Sequence, residues 1–436
     1  MPTYDERFPY TTELELPVIG VEAEFKVFID DAEVAPEKVW KTPAGFIDRP
    51  LLKRTNKSMQ LPTGGALYFD GGVLEVVTPV IEIASQCTAR VVRSLWEQIG
   101  FVRDELDSWE KRVGHRVRLQ AFSCHFNISF ELLREERGSR RTIQKLALLL
   151  AHLLPAPMIV TSSNRKSTGI GVRPRRDRIE ITLDFTPDPG LMAATAALCV
   201  GIVRDVIGWP SYRLEELQKR GIVLIADVSP GKHVARKGWL MKDFHFPQSP
   251  FTVGVDARVW KTTAGTTASL REIAHSIAMK FRQSIQRYSD PFSFRLLFSI
   301  LRGETRALVD LPDRPKEYDD VGRSIRWGST LPEMDNFATL MGGDATRTQN
   351  VRQRRRDEFE ERLAPPWSSD PSPLKRSDYE RVFLKLGSGS RLKIGDEILT
   401  PVKVKGWYHS IFRTAAGEER MLSIDQLLKF MGSWLA

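Results

Sequence analysis

Four stretches of this chain alternate apolar residues with acidic, histidine or amide residues. That alternation confines the fold to one built on a sheet with two unlike faces. In residues 17–29, PVIGVEAEFKVFI, Glu22 and Glu24 are two apart and project from the same face of a strand. Residues 66–83 read as two strands broken at Asp70-Gly71-Gly72, with Glu75 inside an otherwise apolar run. In residues 117–131, His125, Asn127 and Ser129 share one face while Phe126, Ile128 and Phe130 share the other. In RIEITLDF, residues 178–185, Glu180, Thr182 and Asp184 stand opposite Ile179, Ile181 and Leu183. Any one of these segments describes a half-solvated sheet. Four together predict a sheet whose apolar face carries helices and whose polar face is free to cradle a ligand.

The helices follow from a second period. Val91, Leu95, Ile99, Val102 and Leu106 recur at three- and four-residue spacings, predicting a helix over 84–110. Residues 142–154 and 190–207 are apolar on most sides, as buried helices are. Strands and helices do not alternate in a βαβ rhythm and no internal repeat is present. The expected class is therefore α+β, with a largely antiparallel sheet and helices packed on one face. Residues 1–363 are expected to form one catalytic-sized domain. The Pro- and Ser-containing stretch 364–377 reads as a linker. Residues 378–436 read as a small C-terminal α/β domain, with short strands at 382–386, 391–394 and 402–407 and a helix near 423–430.

Of the 436 residues, 42% are hydrophobic and 27% charged, a globular balance rather than a disordered one. Lys and Arg number 64 against 55 Asp and Glu, and the resulting charge of +9 favours anionic partners: nucleotide, nucleic acid, an acidic protein or a membrane surface. Three scattered cysteines, Cys87, Cys124 and Cys199, are too few for a disulfide framework or a cysteine zinc site, so a cytoplasmic location is expected. The polar N-terminus has no apolar core of a secretory signal. The apolar stretches 146–154 and 190–203 are shorter than the roughly 18–20 residues that span a bilayer, so no membrane role is expected.

Carboxylates with one imidazole suit hard divalent cations such as Mg²⁺ or Mn²⁺, which bind through a few carboxylates and nucleotide phosphates. The segment SSNRKSTGIGVRPRRDR, residues 162–178, adds Arg165, Lys166, Arg173, Arg175, Arg176 and Arg178 with Gly169 and Gly171. Guanidinium groups hold phosphate oxygens bidentately and glycines permit close backbone approach, so this segment reads as a phosphate clamp beside the metals. No GxxxxGK[ST] loop is present, and no G-x-G-x-x-G follows a strand. A basic nucleic-acid-binding protein using Arg173–Arg178 and the run Arg352–Arg356 is the alternative. Otherwise that run is a solvated helix face or a site for an acidic protein. Trp209, Trp239, Trp260, Trp327 and Trp407 read as structural, as does His409. Cys124 alternates with His125 and so faces the apolar side, as an inert buried thiol does.

GVEAEF resembles the opening G-x-E-x-E-[FY] strand of glutamine synthetase-fold carboxylate–amine ligases, which include type 2 glutamate–cysteine ligases and the Pup ligase and depupylase family. FDGGVLEVVTP resembles their E-x-x-T-P strand, and VRPRRDRIEITLDFTPDP is similar to the R-P…E-x-R-x-x-D-x-P segment of the glutamate–cysteine ligase branch. ALYFD and CHFN resemble the L-Y-x-D and C-H-x-N segments of the Pup ligase branch. The resemblance covers residues 17–205 and implies a glutamine synthetase-like catalytic domain. It also implies ATP- and Mg²⁺-dependent activation of a carboxylate as an acyl phosphate, then attack by an amine to give an amide or isopeptide bond. By it, Glu22, Glu24, Glu75 and Glu180 are metal ligands and His125 and Asn127 hold metal or nucleotide. Arg165, Lys166, Arg175 and Arg178 bind phosphate, and Asp70 and Arg173 are catalytic. Water in place of the amine would make the same apparatus an amidase. The substrates implied are a carboxylate and an amine carried by an amino acid, peptide or protein. Thr182 stands where the glutamate–cysteine ligase branch has Arg, and Asp70 is one residue closer to Glu75 than in Pup ligases.

Overall fold

The structure is a computed structural model and describes residues 14–54, 58–131, 141–167, 169–186, 188–233, 238–305, 309 and 375–435. The basic run 352–356, Trp327 and the linker residues up to 374 lie outside the described residues. The main strands are β1 (Val18–Ile29), β2 (Ala66–Asp70), β3 (Val73–Val77), β4 (Val117–Ser129), β5 (Ile170–Pro174), β6 (Arg178–Leu183), β7 (Gly231–His233) and β8 (Gly238–Met241). They lie side by side in the order β2–β3–β1–β4–β6–β5–β8–β7, and every neighbouring pair is antiparallel. The β2–β3 hairpin turns on Gly71 (φ 57°) and Gly72 (φ 90°), and two successive residues with positive φ are what a tight two-residue hairpin demands. This is the α+β, mostly antiparallel architecture expected from the sequence.

One face of the sheet is dry. Val21, Ala23, Phe25, Leu74, Val76, Cys124, Phe126, Ile179 and Ile181 are fully buried there. Helices α1 (Cys87–Val113), α2 (Ile143–Leu153), α3 (Pro155–Ser162) and α4 (Pro189–Ile207) belong to the same core. Pro155, at the start of α3, ends the helix expected to run through 142–154 and begins another. The sequence-based limit on apolar stretches needs correcting for α4. As a helix of 19 residues it is long and apolar enough to cross a membrane by length and composition, because a last turn of Arg204, Asp205, Val206 and Ile207 carries it beyond the apolar run. Its surface is buried inside this protein almost all round.

Residues 375–435 gather a second, smaller core of Tyr379, Val382, Phe383, Leu386, Leu392, Leu399, Phe412 and Leu427. The expected strand at 382–386 is instead part of helix α5 (Asp378–Gly387). Ser377 caps it by accepting from the Glu380 amide, Glu380 reaches back to the Ser377 amide, and Tyr379, Val382, Phe383 and Leu386 form one helical stripe. The β-branched and aromatic residues at 382–383 suggested extension, and the capping box overrides them. The strand expected at 402–407 is longer and starts earlier, as β9 (Glu397–Lys405). It pairs in parallel with Leu52–Arg54, and that strand continues through Met59–Gln60 to β2, so the small unit extends the main sheet. Arg54 seals the join: its guanidinium donates to the Gly406 carbonyl at 2.8 Å and lies 4.2 Å over the Trp407 ring.

Candidate active site

Residues directly opposite on neighbouring antiparallel strands point to the same face. The register therefore lays the polar face out in three rows. The first runs Tyr68, Glu75, Glu24, Ser123. The second runs Glu22, His125, Thr182, Gly171, and the third Asn127, Glu180, Arg173. Asp70 sits two residues beyond Tyr68, exposed at the hairpin end of the first row.

His125 is the hub. Its Nδ1 lies 3.2 Å from Glu22 Oε2, and its Nε2 lies 3.7 Å from Glu24 Oε1, 3.4 Å from Ser123 Oγ and 3.4 Å from Arg173 Nη2. Burial works against its charged form, but the carboxylates of Glu22, Glu24 and Glu180 outweigh that and raise its pKa. Glu75 behaves in the opposite way. Burial pushes its carboxyl up to about 7, Glu22 and Glu24 add to the effect, and a hydrogen bond with Tyr68 resists it. The Glu180 carboxylate is ion-paired with Arg173 and Arg175, the latter at 2.6 Å. Arg178 Nε donates to Asn127 Oδ1 at 2.8 Å. Burial disfavours charge on Glu180, yet His125, Arg175 and Arg173 hold its pKa below the ordinary value.

At the Asn127 end of the face lies a pocket lined by Leu16, Val18, Val80, Trp407 and Tyr408. Glu22, Asn127 and Arg178 also line it.

One face thus collects Glu22, Glu24, Glu75, Glu180, His125, Asn127, Arg173, Arg175 and Arg178. Arg165 and Lys166 do not join them. They occupy a turn beyond the opposite end of β5, where the Asn164 amide and side chain both donate to Asp184 and Arg165 Nε donates to the Val309 carbonyl. The segment 162–178 is contiguous in sequence, but β5 runs through its middle and separates its two basic ends. Asp184 shares the polar side of β6 but is buried and occupied by that turn. Tyr68 and Ser123 are residues of the face that sequence reasoning did not single out. Both stand two positions from residues that were singled out, Asp70 and His125, which is the signal that could have found them. Cys124 is buried on the apolar face, and burial pushes its thiol well above the ordinary range.

Among the described residues, no group of three or more His, Cys, Asp or Glu side chains is gathered so as to hold a metal ion by itself. An ion of the Mg²⁺ type needs no such cage, since it takes one or two carboxylates and fills the rest of its shell with water and phosphate oxygens. Glu22, Glu24 and Glu75, three acids on adjacent strands facing one imidazole, fit that donor set. The shifted Glu75 predicts a pH signature for the metal-free protein. A carboxyl whose folded pKa exceeds its unfolded 4.5 contributes stability in full below pH 4.5 and loses it as the pH rises through about 7. In EDTA, wild type should lose up to about 3 kcal/mol more than Glu75→Gln between pH 5 and pH 8, measured by urea unfolding. Parallel curves for the two proteins would contradict it.

No family model matches the chain, and no curated protein matches it. Among solved structures it is similar to the ligase PafA in complex with the prokaryotic ubiquitin-like protein Pup, at 13% identity and a TM-score of 0.48, over 96% of this chain and 92% of that one. It is also similar to the Pup ligase PafA in complex with ADP, at 12% identity and a TM-score of 0.41, over 87% of this chain and 91% of that one.

Proposed function

We propose that this chain is an ATP- and divalent-metal-dependent carboxylate–amine ligase. The observation that supports it most is the gathering on one sheet face of an acidic group, Glu22, Glu24 and Glu75, and an arginine group, Arg173, Arg175 and Arg178, with a pocket beside Asn127 and Arg178. A carboxylate resists attack by an amine because oxide is a poor leaving group. Phosphorylation supplies a better one, but it concentrates negative charge on the transferred group. Arginines at the phosphates and acids around a cation are the two parts such a transfer needs. A bound Mg²⁺ would supply charge neutralisation, held by Glu22, Glu24 and Glu75. In this reading the pocket walled by Val18, Val80 and Trp407 takes the nucleotide base, and Arg178 and Arg175 take the phosphates. His125, within reach of both carboxylates, orients Glu22 and Glu24. Asp70, exposed at the rim, is placed to accept the proton of the incoming amine. The +9 charge favours an anionic carboxylate donor, an acidic peptide or protein among them.

The test needs no knowledge of the substrate pair. At 100 times Kd, ATP with Mg²⁺ should stabilise wild type by about 2.7 kcal/mol. Mg²⁺ should be required, and Glu75→Ala should lose the effect. No shift at millimolar ATP in a folded protein would remove the ligase reading and put nucleic acid first, tested by binding that falls steeply with salt.

A further inference from the structure

Glu180 stands apart from the other acids of the face. Each of its oxygens meets a different guanidinium: Oε1 faces Arg173 Nη2, and Oε2 accepts from Arg175 Nε at 2.6 Å. Glu180 and Arg173 are nearly inaccessible, while Arg175 is 38% exposed in its side chain. A cation approaching Glu180 would find both oxygens already facing positive charge. Arg173 also depends on the space left by a glycine of β8. A Cβ on Gly238 would come within 2.6 Å of Arg173 Cγ and 3.0 Å of its Cα, so only glycine lets the side chain lie flat across β8. Arg175 leaves the β5–β6 turn, where its amide donates to the Arg178 carbonyl, and extends back over Glu180.

We infer that Glu180 is a positioning residue for an anion-binding fork, and not one of the metal ligands. This rests on the ligase reading for the identity of the anion, a chain of phosphates, and departs from it over what Glu180 does. The carboxylate ties the two guanidiniums together, so that the exposed Arg175 is held toward the cradle against the buried Arg173. Gly238 and Glu180 have complementary parts in this, since the first admits the Arg173 side chain and the second sets its rotation.

Two probes separate the roles, Mn²⁺ alone and tripolyphosphate in EDTA, each titrated calorimetrically into wild type, Glu75→Gln, Glu180→Gln and Glu180→Ala. Mn²⁺ affinity should fall at least tenfold in Glu75→Gln and stay within threefold of wild type in both Glu180 variants. Tripolyphosphate should bind at least tenfold more weakly to Glu180→Ala. Glu180→Gln, which keeps a carbonyl acceptor, should recover part of that loss and decides alone if the alanine variant does not fold. Charge counting by itself predicts the reverse, since removing an acid beside an anion site should tighten it. Tighter tripolyphosphate binding would therefore overturn the inference and make Glu180 a competitor for the arginines. A loss of Mn²⁺ affinity in Glu180→Gln equal to that in Glu75→Gln would overturn it in favour of a metal ligand. If wild type binds tripolyphosphate but neither Mn²⁺ nor ATP with Mg²⁺, the ligase reading fails while the fork still stands on the Glu180 comparison. If wild type binds no tripolyphosphate, the fork itself fails.

Discussion

Replacing Glu380 by alanine should destabilise the whole protein by about 3–5 kcal/mol, the usual result of leaving a buried charge without its partner. Glu380 is fully buried on α5, and it is ion-paired both with Arg93, equally buried on α1, and with Arg376 at 2.7 Å. Arg376 in turn reaches Glu97 of α1 at 2.6 Å. Four charged side chains thus meet between the main core and the small one, and taking one away strands the others. Urea unfolding should show one transition at a lower midpoint, followed identically by tryptophan fluorescence and circular dichroism. Arg93→Met with Glu380→Leu, which removes a charge of each sign and keeps the volume, should recover most of the loss. A Glu380→Ala midpoint indistinguishable from wild type would mean that water reaches this junction and screens it.

The second large effect is on rate. In the proposed ligase reaction, Asp70→Asn should slow amide formation by about 10²–10⁴-fold, the range that a positioned general base contributes. Binding of ATP with Mg²⁺ should stay within twofold of wild type, because Asp70 stands exposed at the β2–β3 turn, beyond the acidic group. Hydroxylamine gives the discriminating readout. It is largely unprotonated at neutral pH and attacks an acyl phosphate without help, so its product should form at nearly the wild-type rate in the variant. An equal loss with hydroxylamine and with an ordinary amine would place Asp70 in phosphoryl transfer rather than in proton removal.

The sheet was legible from the chain because two-residue alternation is a local property: β1 and β6 show it without interruption, and β4 shows it on either side of a bulge at Phe122, where the apolar positions change parity. The acids and His125 were legible for the same reason: a polar residue repeated every second position of a strand commits to a face before any partner is known. Three things were not legible. Register decides that Glu24 faces Glu75 while Glu22 faces His125, and register belongs to pairs of strands distant in sequence. The separation of Arg165 and Lys166 from Arg173, Arg175 and Arg178 depends on β5 running straight between them. The helix at 378–387 was masked by its residues at 382–383, although Ser377 and Glu380 carried the stronger, positional signal. The smaller strands β7 and β8, which bring Gly238 beneath Arg173, have no alternation long enough to announce them.

The parallel pairing of β9 with Leu52–Arg54 has a practical consequence for dissecting this protein. A version cut before Lys375 would lose more than an appendage. Its sheet would end in an unpaired strand, and the Trp407 and Tyr408 wall of the pocket would be gone. Bare strand edges recruit other strands, so the shortened chain should self-associate. For a protein engineer, the workable cleavage would leave both pieces present, with the small unit added back as a separate polypeptide to zip onto the exposed edge.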